Sequence, residues 1–277
     1  MSEGRLVVCA TPIGNLGDIS ERLRNTLASA DVVYAEDTRR TAKLLRHLVI
    51  SVPLVSLFVG NEASRTDELV EAVRRGEKVV LVSDAGMPTI SDPGAAAIRA
   101  VRDAGFPVSV VPGPSAVTMA LALSGFGADR FSFEGFLPRK GRARAERIDA
   151  IASDERAVVI FASPNRLAED LRDLETACGS DRNVAVMREL TKLHEECWVG
   201  QLGTAVQWWT EEVRGEVTLV VGPAELPGPS IEEAIATARE LVAQGGSIRV
   251  SARTVAESMG VSRREVYEAL ISDQESS

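Results

Sequence analysis

Two stretches of this 277-residue chain combine glycines, prolines and hydroxyls at spacings that could hold a small ligand. The first, Ser83-Asp-Ala-Gly-Met-Pro-Thr-Ile-Ser-Asp-Pro-Gly94, puts two carboxylates, two glycines and two prolines into twelve residues. Glycine lets the backbone approach a ligand, proline stiffens the loop, and the carboxylates accept hydrogen bonds from an ammonium or ribose group or favour a sulfonium cation. An ordinary tight turn before a capped helix fits the same residues equally well. The second stretch, Val111-Pro-Gly-Pro-Ser-Ala116, ends a strand and opens a helix, bringing free backbone N–H groups beside the Ser115 hydroxyl, which also suits a plain N-cap. Neither carries G-x-G-x-x-G, and G-x-x-x-x-G-K-[ST] is absent, so NAD and ATP lose ground.

Charge gathers in two further places. Glu36-Asp37 is followed by Arg39, Arg40, Lys43 and Arg46, so these carboxylates either serve as a proton acceptor or pair structurally with Arg39 or Arg40. Between Arg139 and Arg147 five basic residues (Arg139, Lys140, Arg142, Arg144, Arg147) stand against one acid. Phosphate backbones attract such a cluster; a solvated helix face is the simpler alternative. The whole chain carries a net charge of −9, which argues against general nucleic-acid binding and confines any RNA site to a local patch. With two histidines there is little support for a metal site or a Ser/His/Asp triad.

The elements that must position these residues alternate. Val-rich runs at 6–10, 31–35, 79–83 and 108–111 each precede a Gly/Pro-rich turn and a helical pattern, which predicts strands buried on both faces of a mainly parallel sheet. A small-residue helix from Ser115 to about Leu123 stops at Gly125-Phe-Gly127, the expected end of a first α/β domain, 1–127. A second, 128–225, has strands near 131–133, 157–162, 184–187 and 217–221 and a helix over 167–177. Pro223-Ala-Glu-Leu-Pro-Gly-Pro229 reads as a stiff linker to a third, helical unit, 229–277. There Ser230 and Glu233 form a capping box, and Ala256, Gly260 and Val266 fit a helix-turn-helix as well as a plain three-helix cap. Hydrophobic residues at 45% and charged residues at 26% fit a soluble protein. Three distant cysteines, Cys9, Cys178 and Cys197, point to a reducing cytosol, and neither a signal segment nor an apolar run of about 20 residues is present.

In order and spacing, Thr11-Pro-Ile-Gly-Asn-Leu-Gly-Asp-Ile19, Glu36-Asp-Thr-Arg39, Ser83 to Gly94, Val111 to Ala116, Glu134-Gly-Phe-Leu-Pro-Arg-Lys140, Arg188-Glu-Leu-Thr-Lys192 and Gly215-Glu-Val-Thr-Leu219 resemble the ribosomal RNA small subunit methyltransferase I branch of the tetrapyrrole methylases. The resemblance covers nearly the whole chain. It implies two α/β domains with S-adenosylmethionine in the cleft between them, a homodimer, and a small C-terminal helix-turn-helix-like domain. It implies cofactor contacts at Pro12, Asp84, Gly86, Pro88, Ile90, Ser115 and Ala116, and at Phe136, Leu137, Val217 and Thr218 from the second domain. The macrocycle-methylating members carry a G-x-G-x-G loop where this chain has Thr11-Pro-Ile-Gly-Asn15, which moves the expected substrate to RNA. Leu57-Phe-Val-Gly-Asn-Glu62 and Ser163-Pro-Asn-Arg166 depart from the branch by lacking its histidines, so no histidine role is carried over.

The implied reaction is methylation of the ribose 2′-oxygen of a cytidine in the decoding region of 16S rRNA. A ribose hydroxyl is a weak nucleophile, so close positioning and a general base are expected, with Glu36 and Asp37 as candidates and Lys192 as an alternative aid at the oxygen. Arg39, Arg40, Arg139, Lys140, Arg142 and Arg144 would hold phosphates. The rival readings are a tetrapyrrole-precursor or other small-substrate methyltransferase on the same fold and, further off, a DNA-binding regulator led by residues 251–270.

Overall fold

The computed structural model describes residues 4–127, 129–210, 213–224 and 230–275. The chain divides into two compact units, 1–224 and 225–277. In the larger, the predicted alternation of Val-rich strands and helices is realised as β1 (Arg5–Cys9), α1 (Glu21–Ala28), β2 (Val32–Ala35), α2 (Thr38–Leu48), β3 (Leu54–Ser56), α3 (Glu62–Arg74), β4 (Lys78–Val82), α4 (Ala95–Asp103), β5 (Val108–Val111) and α5 (Ala116–Ser124). The five strands form an all-parallel sheet in the order β3-β2-β4-β1-β5. Helices cover both its faces, which is why β1, β2 and β4 read as unbroken apolar runs.

A second five-stranded sheet follows, built from β6 (Phe131–Phe136), β7 (Ala157–Ala162), β8 (Asn183–Arg188), β9 (Glu196–Gln201) and β10 (Val217–Val221) in the order β6-β7-β10-β8-β9. Only β6 and β7 run parallel; the other pairings are antiparallel, so this layer is mixed. Its helices are α6 (Arg142–Ala152), α7 (Leu167–Cys178) and α8 (Leu202–Trp208). Strands β3 and β9 and helix α8 had no clear sequence signal: β3 has three residues, and β9 sits at a sheet edge with alternating exposure. Helix α5, although it precedes the expected 127/128 boundary, packs Val117, Ala120 and Leu121 onto Val159, Ala185, Met187 and Val220 of the second sheet, and Ile13 joins the same cluster. The two sheets therefore share an apolar core through α5.

Arg144 is buried at 6% exposure and cannot hold RNA as the sequence suggested. Its guanidinium donates to Asp170 at 2.8 Å and Asp173 at 2.8 Å, both on α7, and to the Pro138 carbonyl at 3.1 Å. It pins α6 to α7 instead.

The smaller unit contains α9 (Ile231–Ala243), α10 (Ile248–Met259) and α11 (Arg263–Glu275) around Ala234, Ala238, Ala252, Val255, Val266 and Leu270. The Ser230/Glu233 capping box forms reciprocally, and Gly260 takes the left-handed φ of +67° that ends α10. Most of the predicted proline linker, residues 225–229, lies outside the described residues. No helix among the described residues is long and apolar enough to cross a membrane.

Two stability predictions follow from this packing. Asp170→Ala would leave the buried Arg144 charge half-paired and should cost about 3–5 kcal/mol in urea unfolding; a loss under about 1 kcal/mol would mean the pair is solvated. Val49 ends α2 with φ of +58° and is 92% exposed, a left-handed conformation that a β-branched residue resists. Val49→Gly should raise stability by about 0.5–1 kcal/mol, and an unchanged unfolding midpoint would contradict the strain.

Candidate active site

The carboxyl ends of β1 and β4 are tied together by an isolated backbone bridge. The Thr11 N–H donates to the Gly86 carbonyl at 2.9 Å and the Gly86 N–H returns to Thr11 at 3.1 Å, while the Thr11 hydroxyl donates to the Ser83 carbonyl at 3.2 Å. Gly86 has φ of +78°, and a Cβ there would meet Ile13 at 3.2 Å, so this turn requires glycine. Thr89 and Ser91 also hold positive φ, +74° and +65°. Strained non-glycine backbone of this kind persists where its surroundings over-determine it and gathers at ligand sites. From outside the loop, Glu62 accepts the Gly94 N–H at 2.9 Å, and the bulged Gly135 of β6 would bring a Cβ to 3.2 Å from the Ser91 hydroxyl. The loop is thus clamped between the sheets.

A first cavity lies against this loop. Its empty volume, open mouth included, is about 710 Å³. Gly86, Ile90, Ser115, Ala116, Phe136 and Val217 line it, as the sequence expected; Ile13, Ala85, Met87, Ser91, Asp92, Phe161 and Glu216 also line it. Asp92 and Ser91 lay within the loop already singled out and could have been found there. Phe161 and Glu216 come from the ends of β7 and β10, and only the sheet pairing brings them in. Ser115 occupies the N-cap position of α5 but makes no side-chain capping bond, so its hydroxyl and the free N–H groups of the first turn are available to a ligand. Phe161 contacts Phe133 edge-on at 4.9 Å and Phe136 at 5.6 Å, and Phe136 is 58% exposed.

Five expected cofactor residues stand outside this lining. Pro12 and Asp84 line a second cavity, with Thr11, Gly14, Arg40 and Lys43. Leu137 is buried in the second sheet's core and borders a third cavity with Arg139, Asn165 and Arg166; Thr218 is 5% exposed within β10; Pro88 is buried inside the loop. Burial removes the last three side chains from the first cavity.

Charge around the loop is unbalanced toward acid. Burial, against a hydrogen bond from Ser83 and with Asp84 and Glu216 nearby, pushes Asp92 up to about 6. Glu36, at the end of β2, is raised by burial and then by Asp92 and Asp84. Asp37 behaves oppositely. It caps α2, accepting the Arg39 N–H at 2.8 Å and the Arg39 guanidinium at 3.0 and 2.7 Å, and these bonds hold it well below the usual carboxylate range. Asp84 accepts the Asp37 N–H at 2.9 Å and faces Arg40 at 3.5 Å. Lys192 donates to Glu189 at 2.6 Å and Glu216 at 3.1 Å. Burial opposes its charge, but those bonds prevail and raise its pKa, so it is an ammonium. Its stem packs on Gly14, where a Cβ would lie 2.4 Å from Lys192 Cγ and 2.8 Å from Thr191 Oγ1. Of the expected phosphate-binding residues, Arg39 and Arg142 are exposed but paired with Asp37 and Glu146, and Arg40 faces Asp84. Arg139 and Lys140 are exposed with no ion pair among the described residues.

A family model for Tetrapyrrole (Corrin/Porphyrin) Methylases matches residues 5–206. Ribosomal RNA small subunit methyltransferase I of Mycobacterium tuberculosis is 46% identical over 274 residues, covering 98% of this chain and 96% of its own. Its namesake from Synechocystis is 42% identical over 269 residues, covering 96% of both chains. Among solved structures, uroporphyrin-III C-methyl transferase from Thermus thermophilus, complexed with S-adenyl homocysteine, superposes with a TM-score of 0.57 at 19% identity, covering 79% of this chain and 97% of its own, which is a likeness of fold. The interlocked strand ends, the clamped loop and these alignments agree: the chain belongs to the tetrapyrrole methylases, in the ribosomal RNA small subunit methyltransferase I family.

Proposed function

We propose that this chain is an S-adenosylmethionine-dependent methyltransferase acting on the 2′-oxygen of a cytidine ribose in the decoding region of 16S rRNA, as a cytoplasmic homodimer. The observation that carries the reading is the first cavity. Its chemistry fits the cofactor: Asp92 and Glu216 suit the ammonium and sulfonium charges, the free Ser115 hydroxyl and α5 N–H groups suit a carboxylate or ribose, and Phe136 and Phe161 suit an adenine face. When bound there, the cofactor supplies an electrophilic methyl group. Pro12 and Asp84 support the loops from behind, as do Leu137, Pro88 and Thr218 from their buried positions. The RNA assignment draws on the names of the full-length relatives and on Arg39, Arg40, Arg139, Lys140 and Arg142 around the site. For the dimer, exposed Val110, Leu123 and Trp208 offer apolar surface.

The chain's own residues have separate tasks. Glu36 takes the proton from the ribose hydroxyl, since its burial and acidic neighbours raise its basicity. Asp37 is committed to Arg39 and orients the start of α2. Lys192, protonated, holds Glu216 in the cavity wall and does not accept a proton.

The direct test is methyl transfer from labelled S-adenosylmethionine to naked rRNA, to small subunits lacking the modification, and to a porphyrinogen; label mapped to an RNA ribose is the expected result, and label only in the porphyrinogen would transfer the chain to small-molecule chemistry. Glu36→Gln should lower kcat roughly 100-fold or more while binding S-adenosylhomocysteine normally, and Asp37→Asn should cost less than about tenfold. Normal turnover in Glu36→Gln would end the Glu36 assignment. A raised carboxylate acquires its basic form only at higher pH, so wild-type activity should climb with pH above the ordinary glutamate range as Glu36 ionises, and the Gln variant should lose that limb. Gly14→Ala, which drives a methyl into Lys192 and displaces Glu216, should weaken S-adenosylhomocysteine binding roughly tenfold, about 1.4 kcal/mol; unchanged calorimetric affinity would uncouple Lys192 from the cavity.

A further inference from the structure

The first cavity is flanked on both sides. Toward α2 it adjoins the second cavity: in the bridged segment Ile13 and Gly86 line the first, and Thr11, Pro12 and Gly14 line the second. Toward α6 and α7 it shares the rings of Phe136 and Phe161 with the third cavity. Each flanking cavity carries cations. Arg40 and Lys43 line the second; Lys43 is exposed, with no ion pair among the described residues, while Arg40 is drawn only weakly to Asp84 at 3.5 Å. Arg139 and Arg166 line the third together with the buried carboxylate of Asp170; the Arg166 guanidinium pairs with Glu169 at 3.2 Å and donates to the Arg139 carbonyl at 2.8 Å, which leaves exposed Arg139 as the freer cation there. In a chain of net charge −9, cations on both sides of this acid-lined cleft, beside Asp84 on one flank and Asp170 on the other, suit a polyanion crossing its mouth.

We propose that a single RNA strand crosses the first cavity from the second to the third, with the backbone phosphate beside the acceptor nucleotide on Lys43 and Arg40, and the neighbouring nucleotide seated in the third cavity. This rests on the RNA reading above and adds Lys43, Asn165 and Arg166 to the surface that meets RNA. The third cavity has the chemistry for an unstacked nucleotide. Phe136 presents an exposed ring on which a base can stack, the Asn165 amide and Ser163 hydroxyl can both donate and accept at a base edge, and the Arg139 and Arg166 guanidiniums can meet phosphate. The second cavity offers no aromatic ring; its small Thr11, Gly14 and Thr41 surround cations, which suits sugar and phosphate rather than a base.

The test compares wild type with Lys43→Ala and Arg166→Gln, one from each flank, by RNA binding across a salt series and by calorimetric binding of S-adenosylhomocysteine. Each variant should bind undermodified small subunits about fivefold to tenfold more weakly and lower the slope of log affinity against log salt by about 0.7, the value for one phosphate on a single strand, with cofactor affinity unchanged. Should Arg166→Gln disturb the fold and weaken cofactor binding, Arg139→Ala, exposed in the same cavity, takes its place. Unchanged RNA affinity and slope in both flanks, in an enzyme that still methylates RNA, would overturn the crossing and leave the RNA reading intact. A loss on one flank alone would also overturn it. Wild-type protein that labels no RNA would remove the reading on which it depends.

Discussion

The close approach at Gly14 governs the site. The turn leaving β1 has to lie against the 189–192 segment of the second sheet, and it can do so only because residue 14 lacks a side chain: Lys192 and Thr191 occupy the space a Cβ would take. The same turn is bonded to Gly86, so one short stretch of chain touches the β4 loop, the second sheet's charged corner and two cavities together. Glu189 and Thr191 hold positive φ of +53° and +68° to make their side of the contact, a local cost offset by the shared apolar cluster of Ile13, α5 and the second sheet.

Electrostatics follows from that geometry. Bringing strand ends together concentrates Glu36, Asp84, Asp92 and Glu216 in one region, where burial above all, and then the neighbouring carboxylates, raise Glu36 and Asp92. The neighbouring cations are unequally engaged. Arg39 is spent on Asp37 and Lys192 on two glutamates, so they tune and brace, whereas Lys43 and Arg139 remain available to an anion. An acidic interior with free cations at its rim is the arrangement expected where a cationic methyl donor and an anionic acceptor must meet.

Much of this was legible in the residues. The strand Ala157–Ala162 could be read to the residue because its burial leaves an unbroken apolar run. The Ser83–Gly94 loop and Pro112–Ser115 turn were visible because glycine, proline and hydroxyl residues mark backbone that leaves regular structure. Arg144 was misread because sequence shows charge without burial: Asp170 and Asp173 lie a helix away and come into reach only when α6 meets α7. Glu216 and Phe161 escaped for the same reason, since strand pairing across the second sheet, and no local pattern, carries them to the cavity. Likewise the packing of α5 on the second sheet has no signature in its small apolar residues, which suit either layer.

The central claim is that the first cavity, formed where the two sheets interlock, holds the methyl donor. A crystal structure with S-adenosylhomocysteine addresses it most directly. The account predicts the ligand between the Ser83–Gly94 loop and β10, touching Met87, Ser115, Phe136 and Val217, with its sulfur on the Asp92 side. Density for the ligand against Arg40, Lys43 and Asp84 in the second cavity would contradict it.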